Sequence, residues 1–147
     1  MCLWFIGCEG TRPAVKLKTL NGPTLDFGKL EGQWVIINYW ASWCKPCYEE
    51  IPELNRFYEK YRTKNVQLLG VNYDSVEPRE LAKIIQKIGV HYPTLLTDPS
   101  EPLGLGDIPG LPATYVFTPT GHLKIKLFGK QTRKSLEAVI GKRKDVS

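Results

Sequence analysis

The chain has 147 residues, of which 42% are hydrophobic and 24% charged. This composition fits one folded domain with a single core and excludes an intrinsically disordered chain. The formal net charge is +5 and basic residues crowd the last quarter of the chain, but no nucleic-acid-binding motif accompanies them, so we interpret them as a solvated face and expect no nucleic-acid partner.

The first eight residues are nearly all apolar and end in a cysteine, and the chain turns polar from Glu9. Residues 5–8, F-I-G-C, resemble a bacterial lipobox, which implies a lipid on Cys8 and a tether to a membrane outside the cytoplasm. The alternatives are the tail of a leader peptide, whose basic start is missing, and an unmodified terminus. We expect residues 1–13 to be a flexible N-terminal segment and residues 14–147 to form the domain.

The first half of the domain predicts a hairpin, a strand and a helix. Residues 15–20 and 24–27 alternate apolar and polar side chains around an Asn-Gly pair, which indicates a β-hairpin. Residues 34–40 are a nearly continuous apolar run rich in β-formers and predict a buried strand. Apolar residues at helical spacing then predict a helix over about 44–62.

The second half predicts alternating strands and helices. A buried strand is expected at 66–73, followed by a helix over 78–88 that begins at a proline and ends before a glycine. A short strand is expected at 92–97. Two more strands, 113–117 and 123–128, flank a turn sequence, and a short helix follows near the C-terminus.

The order of these elements indicates the fold class. Strand–helix–strand units favour parallel pairing, whereas two strands joined by a short turn favour antiparallel pairing. A mixed central sheet flanked by helices satisfies both, so the predicted class is α/β with an N-terminal hairpin.

Two cysteines stand where the first buried strand meets the first helix, in the sequence W-A-S-W-C-K-P-C at 40–47. Free amides and the dipole at a helix start stabilise an anion, so Cys44 is expected to form a reactive thiolate, with Lys45 adding positive charge. Cys47, one turn further in, is expected to resolve the mixed disulfide that Cys44 forms with a partner. This arrangement predicts a thiol–disulfide oxidoreductase that needs no cofactor beyond its own Cys44–Cys47 disulfide.

Two other interpretations of the cysteine pair stay open. A purely structural disulfide would close a loop of two residues and stabilise the fold little. A zinc site needs about four ligands. Cys2, Cys8, His91 and His122 show no suitable spacing, and we predict no metal site.

The motif at 40–47 resembles the active site of thioredoxin-like proteins. Over most of its length, from about 15 to 140, the chain resembles the extracytoplasmic thiol–disulfide oxidoreductases of the TlpA/ResA type. Residues 110–117, G-L-P-A-T-Y-V-F, resemble the segment that holds this family's cis-proline. The helix over 78–88 resembles an insertion of this branch. The resemblance implies a thioredoxin-like fold.

The resemblance also implies roles for single residues. Asn38 stands where cytoplasmic thioredoxins carry a buried Asp and the TlpA/ResA type commonly carries Asn. Glu50 matches a carboxylate near the cysteines and is expected to shuttle protons to the sulfurs; the alternative is a solvated glutamate, as expected for Glu49. A cis bond between Leu111 and Pro112 would bring backbone groups beside the sulfurs, where an extended substrate pairs with them.

The predicted substrate-binding residues flank the cysteines or lie in the cis-proline segment. They are Trp43, Lys45, Pro46, Leu111 and Pro112. Trp43 is expected to shield the sulfurs from water, to pack against the sheet, or to do both, and we expect Trp40 to pack in the core. Ala113 departs from the acidic residue that the cytochrome-maturation branch commonly carries near there, which weakens a dedicated role in reducing apocytochromes.

The resemblance implies a monomeric reductase of disulfides in partner proteins, periplasmic or membrane-anchored in a bacterium and recharged by a membrane thiol carrier. Two rival functions stay open. A thiol peroxidase on the same fold would attack peroxide with one acidic cysteine. A copper chaperone would hold the metal on the two thiolates, although a single Met and two ill-placed His argue against it.

Overall fold

A computed structural model describes residues 12–141 of the chain. Its elements are β1 (Lys16–Leu17), β2 (Leu25–Asp26), a 3-10 turn (Phe27–Lys29), β3 (Trp34–Trp40), α1 (Lys45–Tyr61), β4 (Val66–Asn72), α2 (Pro78–Ile88), β5 (Thr94–Leu95), β6 (Ala113–Phe117), β7 (Leu123–Phe128) and α3 (Arg133–Ile140). Within these residues no helix is both long and apolar enough to cross a membrane.

The expected N-terminal segment is described only at its end. Predictions for residues 1–11, including the lipid on Cys8, lie outside the described residues. Arg12 is 3% exposed, and its Nη2 donates hydrogen bonds to the carbonyl oxygens of Gln33 at 2.6 Å and Thr118 at 2.8 Å. Arg12 therefore belongs to the packed domain, and the expected boundary otherwise stays a prediction.

Five strands form one mixed sheet in the order β5-β4-β3-β6-β7. The central strand, β3, runs parallel to β4 and antiparallel to β6. At the edges, β5 pairs in parallel with β4, and β7 pairs in antiparallel with β6. The sheet that the element order predicts is confirmed.

The hairpin and the edge strand β5 are shorter than expected. β1 and β2 have two residues each, and the hairpin turn docks on the sheet edge, where Leu20 N–H donates to Thr94 O at 2.8 Å. The strand expected over 92–97 is reduced to Thr94–Leu95. One reason is that Pro93 has no amide hydrogen for a strand ladder, and the other is that β4 ends one residue beyond the partner of Leu95.

The alternating side chains of β3 divide the core into two layers. Ile36 and Trp40 lie in the layer formed with α1 and α3, against which α2 also packs. Ile37 and Tyr39 lie in the opposite layer, formed with the N-terminal hairpin and the loop before β6. The three helices thus cover one face of the sheet, and the cysteines lie in that layer.

Candidate redox-active site

The two cysteines lie where β3 ends and α1 begins. Cys44 is the N-cap residue of α1 and has extended backbone, and its Sγ accepts a hydrogen bond from Cys47 N–H at 3.3 Å. The two sulfurs form a disulfide, with Cα atoms 5.3 Å apart. The predicted position of Cys44 at the helix start is confirmed. When the disulfide opens, the helix dipole and the amide of Cys47 stabilise a thiolate at Cys44.

The cysteines differ in their access to solvent. Cys44 is 5% exposed and Cys47 is 0% exposed. A partner's disulfide must approach the more accessible sulfur, so this asymmetry agrees with Cys44 as the attacking residue. Lys45 and Pro46 are exposed beside it.

The loop between β3 and Cys44 is held by Asp74, which sequence reasoning missed. Asp74 accepts hydrogen bonds from the backbone N–H and the hydroxyl of Ser42, both at 2.8 Å. Asn72 Nδ2 donates to the same carboxylate at 2.7 Å. The sequence signal for Asp74 is an acidic residue directly after β4. Parallel neighbouring strands such as β3 and β4 end at the same edge of a sheet, so a residue that follows β4 lies close to the loop that follows β3.

Glu50 is fully buried in α1, one turn after Cys47. Its Oε1 accepts a hydrogen bond from Asn38 Nδ2 at 2.8 Å and its Oε2 one from the backbone N–H of Gln131 at 2.9 Å. Burial raises the pKa of Glu50 to about 7, and the two hydrogen bonds offset only part of that effect. The alternative of a solvated glutamate is wrong for Glu50. It describes Glu49, which is exposed and contacts Lys130 at 2.8 Å.

Asn38 connects this carboxylate to the strand that follows the cis-proline segment. Its Nδ2 also donates to Thr114 Oγ1 at 3.1 Å, and the side chain is 0% exposed. An amide at this position stays neutral at every pH, so the hydrogen-bonded group Asn38, Glu50 and Thr114 contains one titratable member.

The segment before β6 completes the site. The peptide bond between Leu111 and Pro112 is cis, as the resemblance implies. Pro112 is buried, and its carbonyl accepts a hydrogen bond from Gly129 N–H at 2.9 Å. Leu111 packs against the core cluster that contains both cysteines. Together with Phe128, these residues line a surface cleft of about 340 Å³.

The two tryptophans near the cysteines lie in different environments. Trp40 is 0% exposed and packs in the core, as expected, whereas Trp43 is 69% exposed. Packing of Trp43 against the sheet is therefore wrong. Tyr48 in the first turns of α1 and Phe128 at the end of β7 are also exposed aromatic residues, and sequence reasoning missed both. No local pattern distinguishes them from core aromatics.

The structure brings together no three His, Cys, Asp or Glu side chains that would hold a metal ion, as far as residues 12–141 are concerned. His91 and His122 are both exposed. Cys2 and Cys8 lie outside the described residues.

Comparison with known proteins agrees with this geometry. The sequence model of the AhpC/TSA family matches residues 10–126 of the chain. The chain is 27% identical to the thiol-disulfide oxidoreductase ResA of a Bacillus cereus strain over 130 residues, which cover 88% of this chain and 75% of ResA. It is 29% identical to ResA of Geobacillus kaustophilus over 133 residues, covering 90% and 75%.

Solved structures share the fold. StoA from Bacillus subtilis superposes with a TM-score of 0.69 at 26% identity, covering 86% of this chain and 98% of StoA. A thiol:disulfide interchange protein of the thioredoxin family from Chlorobium tepidum TLS superposes with a TM-score of 0.74 at 20% identity, covering 89% and 93%. The thioredoxin-like fold and the resemblance to the TlpA/ResA type are confirmed, and the roles of single site residues stay predictions.

Proposed function

We propose, from the premise that this chain belongs to the AhpC/TSA family, that it is a thiol–disulfide oxidoreductase that reduces disulfides in partner proteins. One observation carries the proposal. Cys44 caps the N-terminus of α1 in a disulfide with Cys47, and Glu50 is buried one turn beyond. An attacking sulfur, a resolving sulfur and a proton acceptor thus lie within the first two turns of one helix.

The reaction has two exchange steps. In the reduced protein the Cys44 thiolate attacks a disulfide of the partner, forms a mixed disulfide and releases one partner thiolate, which takes a proton from water. Cys47 then loses its proton and attacks Cys44 Sγ, which releases the second partner thiolate and closes the Cys44–Cys47 disulfide. Two electrons pass from the cysteine pair to the partner.

Glu50 is the proposed acceptor of the Cys47 proton. Residues three positions apart lie on the same side of a helix, so the carboxylate and the Cys47 thiol face the same layer of the core. The pKa of Glu50, raised by burial to about 7, means that both protonation states are populated near neutral pH, which favours transfer in both directions.

The proposed partner surface lies around Cys44. Trp43, Lys45 and Pro46 are exposed next to the sulfur, and Leu111 and Pro112 line the cleft on the β6–β7 side. An extended partner segment would pair with backbone groups near Pro112 and contact the exposed face of Trp43. Aromatic side chains supply much contact area at low conformational cost.

The setting is also part of the proposal. From the resemblance to the TlpA/ResA type we also propose a monomer outside the cytoplasm of a bacterium, periplasmic or tethered through Cys8, with a membrane thiol carrier that returns the electrons. The working group is the cysteine pair itself, without an added cofactor or metal.

The direction of electron flow is tested by equilibrating the protein with glutathione buffers. We expect a reduction potential near the thioredoxin value of about −270 mV, whereas a value near the DsbA value of about −120 mV would overturn the reductase. In parallel, Cys44→Ser is expected to abolish reduction of insulin disulfides. Cys47→Ser is expected to accumulate a mixed disulfide with the partner, visible by mass spectrometry.

The same variants separate the rival functions. Peroxide turnover that survives Cys47→Ser but is lost in Cys44→Ser would indicate a thiol peroxidase. A tight copper complex of the reduced protein, together with no insulin reduction, would indicate a metal chaperone.

A further inference from the structure

A row of three polar residues and one glycine crosses the sheet beneath α1. In the strand register, Asn38 pairs with Thr114 on one side and with Gly70 on the other, and Gly70 pairs with Thr94. Paired residues project to the same face of a sheet, so these four positions form one row in the order Thr94, Gly70, Asn38 and Thr114. Glu50 is hydrogen-bonded to Asn38 within this row. The preceding row on this face is apolar and consists of Ile36, Leu68 and Val116.

Four buried polar atoms of this region have no hydrogen-bond partner within the described part of the chain: Asn38 Oδ1, Trp40 Nε1, Tyr92 Oη and Thr94 Oγ1. Two of their side chains meet above Gly70. A Cβ atom on Gly70 would lie 3.0 Å from Tyr92 Cε2 and 3.4 Å from Trp40 Nε1. Buried polar atoms without protein partners are normally bound to ordered water.

The far end of the row reaches a cleft at the β5 edge. The cleft has a volume of about 460 Å³, and Tyr92 and Thr94 both contribute to its lining. His91, which also lines it, is exposed, so the cleft reaches the surface. The cleft beside Pro112 lies near the opposite edge of the sheet, next to β7.

We propose that this row holds ordered water and conducts protons between Glu50 and the cleft at the β5 edge. The inference rests on the proposed role of Glu50. A partner bound at Cys44 covers the sulfurs, and Glu50 is itself 0% exposed, so a proton taken from Cys47 needs another exit. The Glu50 carboxyl passes this proton to the first water of the row, an equivalent proton leaves at the cleft, and the carboxylate is restored. No electrons move in this step.

The side chains and the backbone group that lie next to Glu50 in its hydrogen-bonded cluster carry no charge. Asn38 and Thr114, from β3 and β6, are neutral, and Gln131 contributes a backbone N–H. Burial, and then the charge of Glu50, raise the pKa of Tyr92, so its hydroxyl stays neutral and relays hydrogen bonds. Charged residues on α1 and in the segment after β7 form ion pairs with one another: Lys130 with Glu49, Arg56 with Glu53 and Arg133 with Glu137.

Tyr92→Phe tests the proposal, with Tyr115→Phe as its matched control. Both hydroxyls are buried and lack a hydrogen-bond partner among residues 12–141, but Tyr115 lies in the opposite layer of the core. The pKa of Glu50 is measured in the oxidised protein by carboxyl-carbon NMR. Loss of a hydrated hydroxyl removes solvation of the carboxylate, so we expect Tyr92→Phe to raise this pKa by roughly half a unit or more, whereas Tyr115→Phe leaves it unchanged. An unchanged or lower pKa in Tyr92→Phe would overturn the proposal.

A second measurement needs no variant and covers the case in which Tyr92→Phe does not fold. In the wild-type protein, NMR cross-relaxation between water and the Trp40 indole N–H is expected, because that N–H is buried and has no hydrogen-bond partner among residues 12–141. An indole proton without a water contact would also overturn the proposal. Both measurements use the oxidised protein and are independent of electron flow. A hydrated row in a protein that reduces no disulfide would therefore refute the proposed function alone, and a dry row in an active reductase would refute the path alone.

Discussion

The two faces of the central sheet each hold a hydrogen-bonded carboxylate, and they set its pKa in opposite directions. On the α1 face, Glu50 is fully buried with two N–H donors, and burial dominates and raises its pKa to about 7. On the other face, Asp98 stays exposed and accepts from the hydroxyls of Tyr39 at 2.7 Å and Tyr73 at 2.8 Å. Partial burial by itself would raise the pKa of Asp98. The hydrogen bonds from the two tyrosines and from Ser100 together outweigh burial, so the net effect is a lowered pKa.

The difference shows that a carboxyl group is suited to proton transfer or to anchoring according to its solvent access and its donors. Asp98 stays ionised at neutral pH and ties two tyrosines to the loop after β5. Glu50 is close to its titration midpoint next to a cysteine pair. We therefore expect proton exchange on the helix-covered face, and the predictions below test that contrast.

The largest effect is expected from a second carboxylate on the Glu50 face. Asn38→Asp replaces the amide that contacts Glu50 at 2.8 Å, and two buried carboxylates at this distance cannot both ionise. We expect the free energy of unfolding to fall by about 3–5 kcal/mol at pH 8 and by much less at pH 5, where the pair retains a proton. Urea unfolding at both pH values measures this, and an equal loss at the two values would contradict the coupling.

The second effect concerns the stability profile of the wild-type protein. Because the pKa of Glu50 is raised from 4.5 to about 7, the folded state binds the proton more tightly than the unfolded state. The stabilisation that the bound proton of Glu50 gives to the folded state is complete below pH 4.5 and is lost as the pH rises through about 7. Glu50→Gln removes this dependence, so its stability relative to wild type should rise by about 3 kcal/mol over that range. Parallel profiles for the two proteins would show that Glu50 has an ordinary pKa.

Asp98→Asn should give a smaller effect with the opposite pH dependence. Because the pKa of Asp98 is lowered in the folded state, its ionised carboxylate stabilises the fold at pH values above 3.8. This stabilisation is lost as the pH falls through the pKa of the folded state. We expect a loss of about 1 kcal/mol at pH 7 for the charge-assisted bonds from Tyr39 and Tyr73, after allowance for solvent screening, and no loss near pH 2. Thermal unfolding across this range measures it. A loss that persists in acid would assign the effect to packing.

The smallest effect is expected from Glu49→Gln, the matched neighbour of Glu50→Gln. Glu49 forms an exposed ion pair with Lys130 at 2.8 Å, and pairs of this kind contribute little. Neither stability nor the pKa of Glu50 should change measurably in urea unfolding and NMR titration. A response as large as that of Glu50→Gln would mean that position in the helix, and not burial, decides the contrast.

Local sequence patterns were sufficient for most of the elements. The expected bounds of 34–40, 78–88, 113–117 and 123–128 are those of β3, α2, β6 and β7. Apolar runs, a proline at a helix start and a glycine after its end act within a few residues, so they are visible in one dimension. The position of Cys44 at the start of α1 follows from the same local signals.

The tertiary structure decided which polar residues form the site. Glu49 and Glu50 are adjacent glutamates in one helix, yet only Glu50 is buried, because α1 packs on Asn38 and the amide of Gln131, 81 positions away, reaches its carboxylate. Asp74 holds Ser42 across 32 positions. The sequence by itself determined the fold class and the cysteine pair. Burial and hydrogen-bond partners of a polar group depend on which distant segments meet, so only the folded chain determined the environment of Glu50.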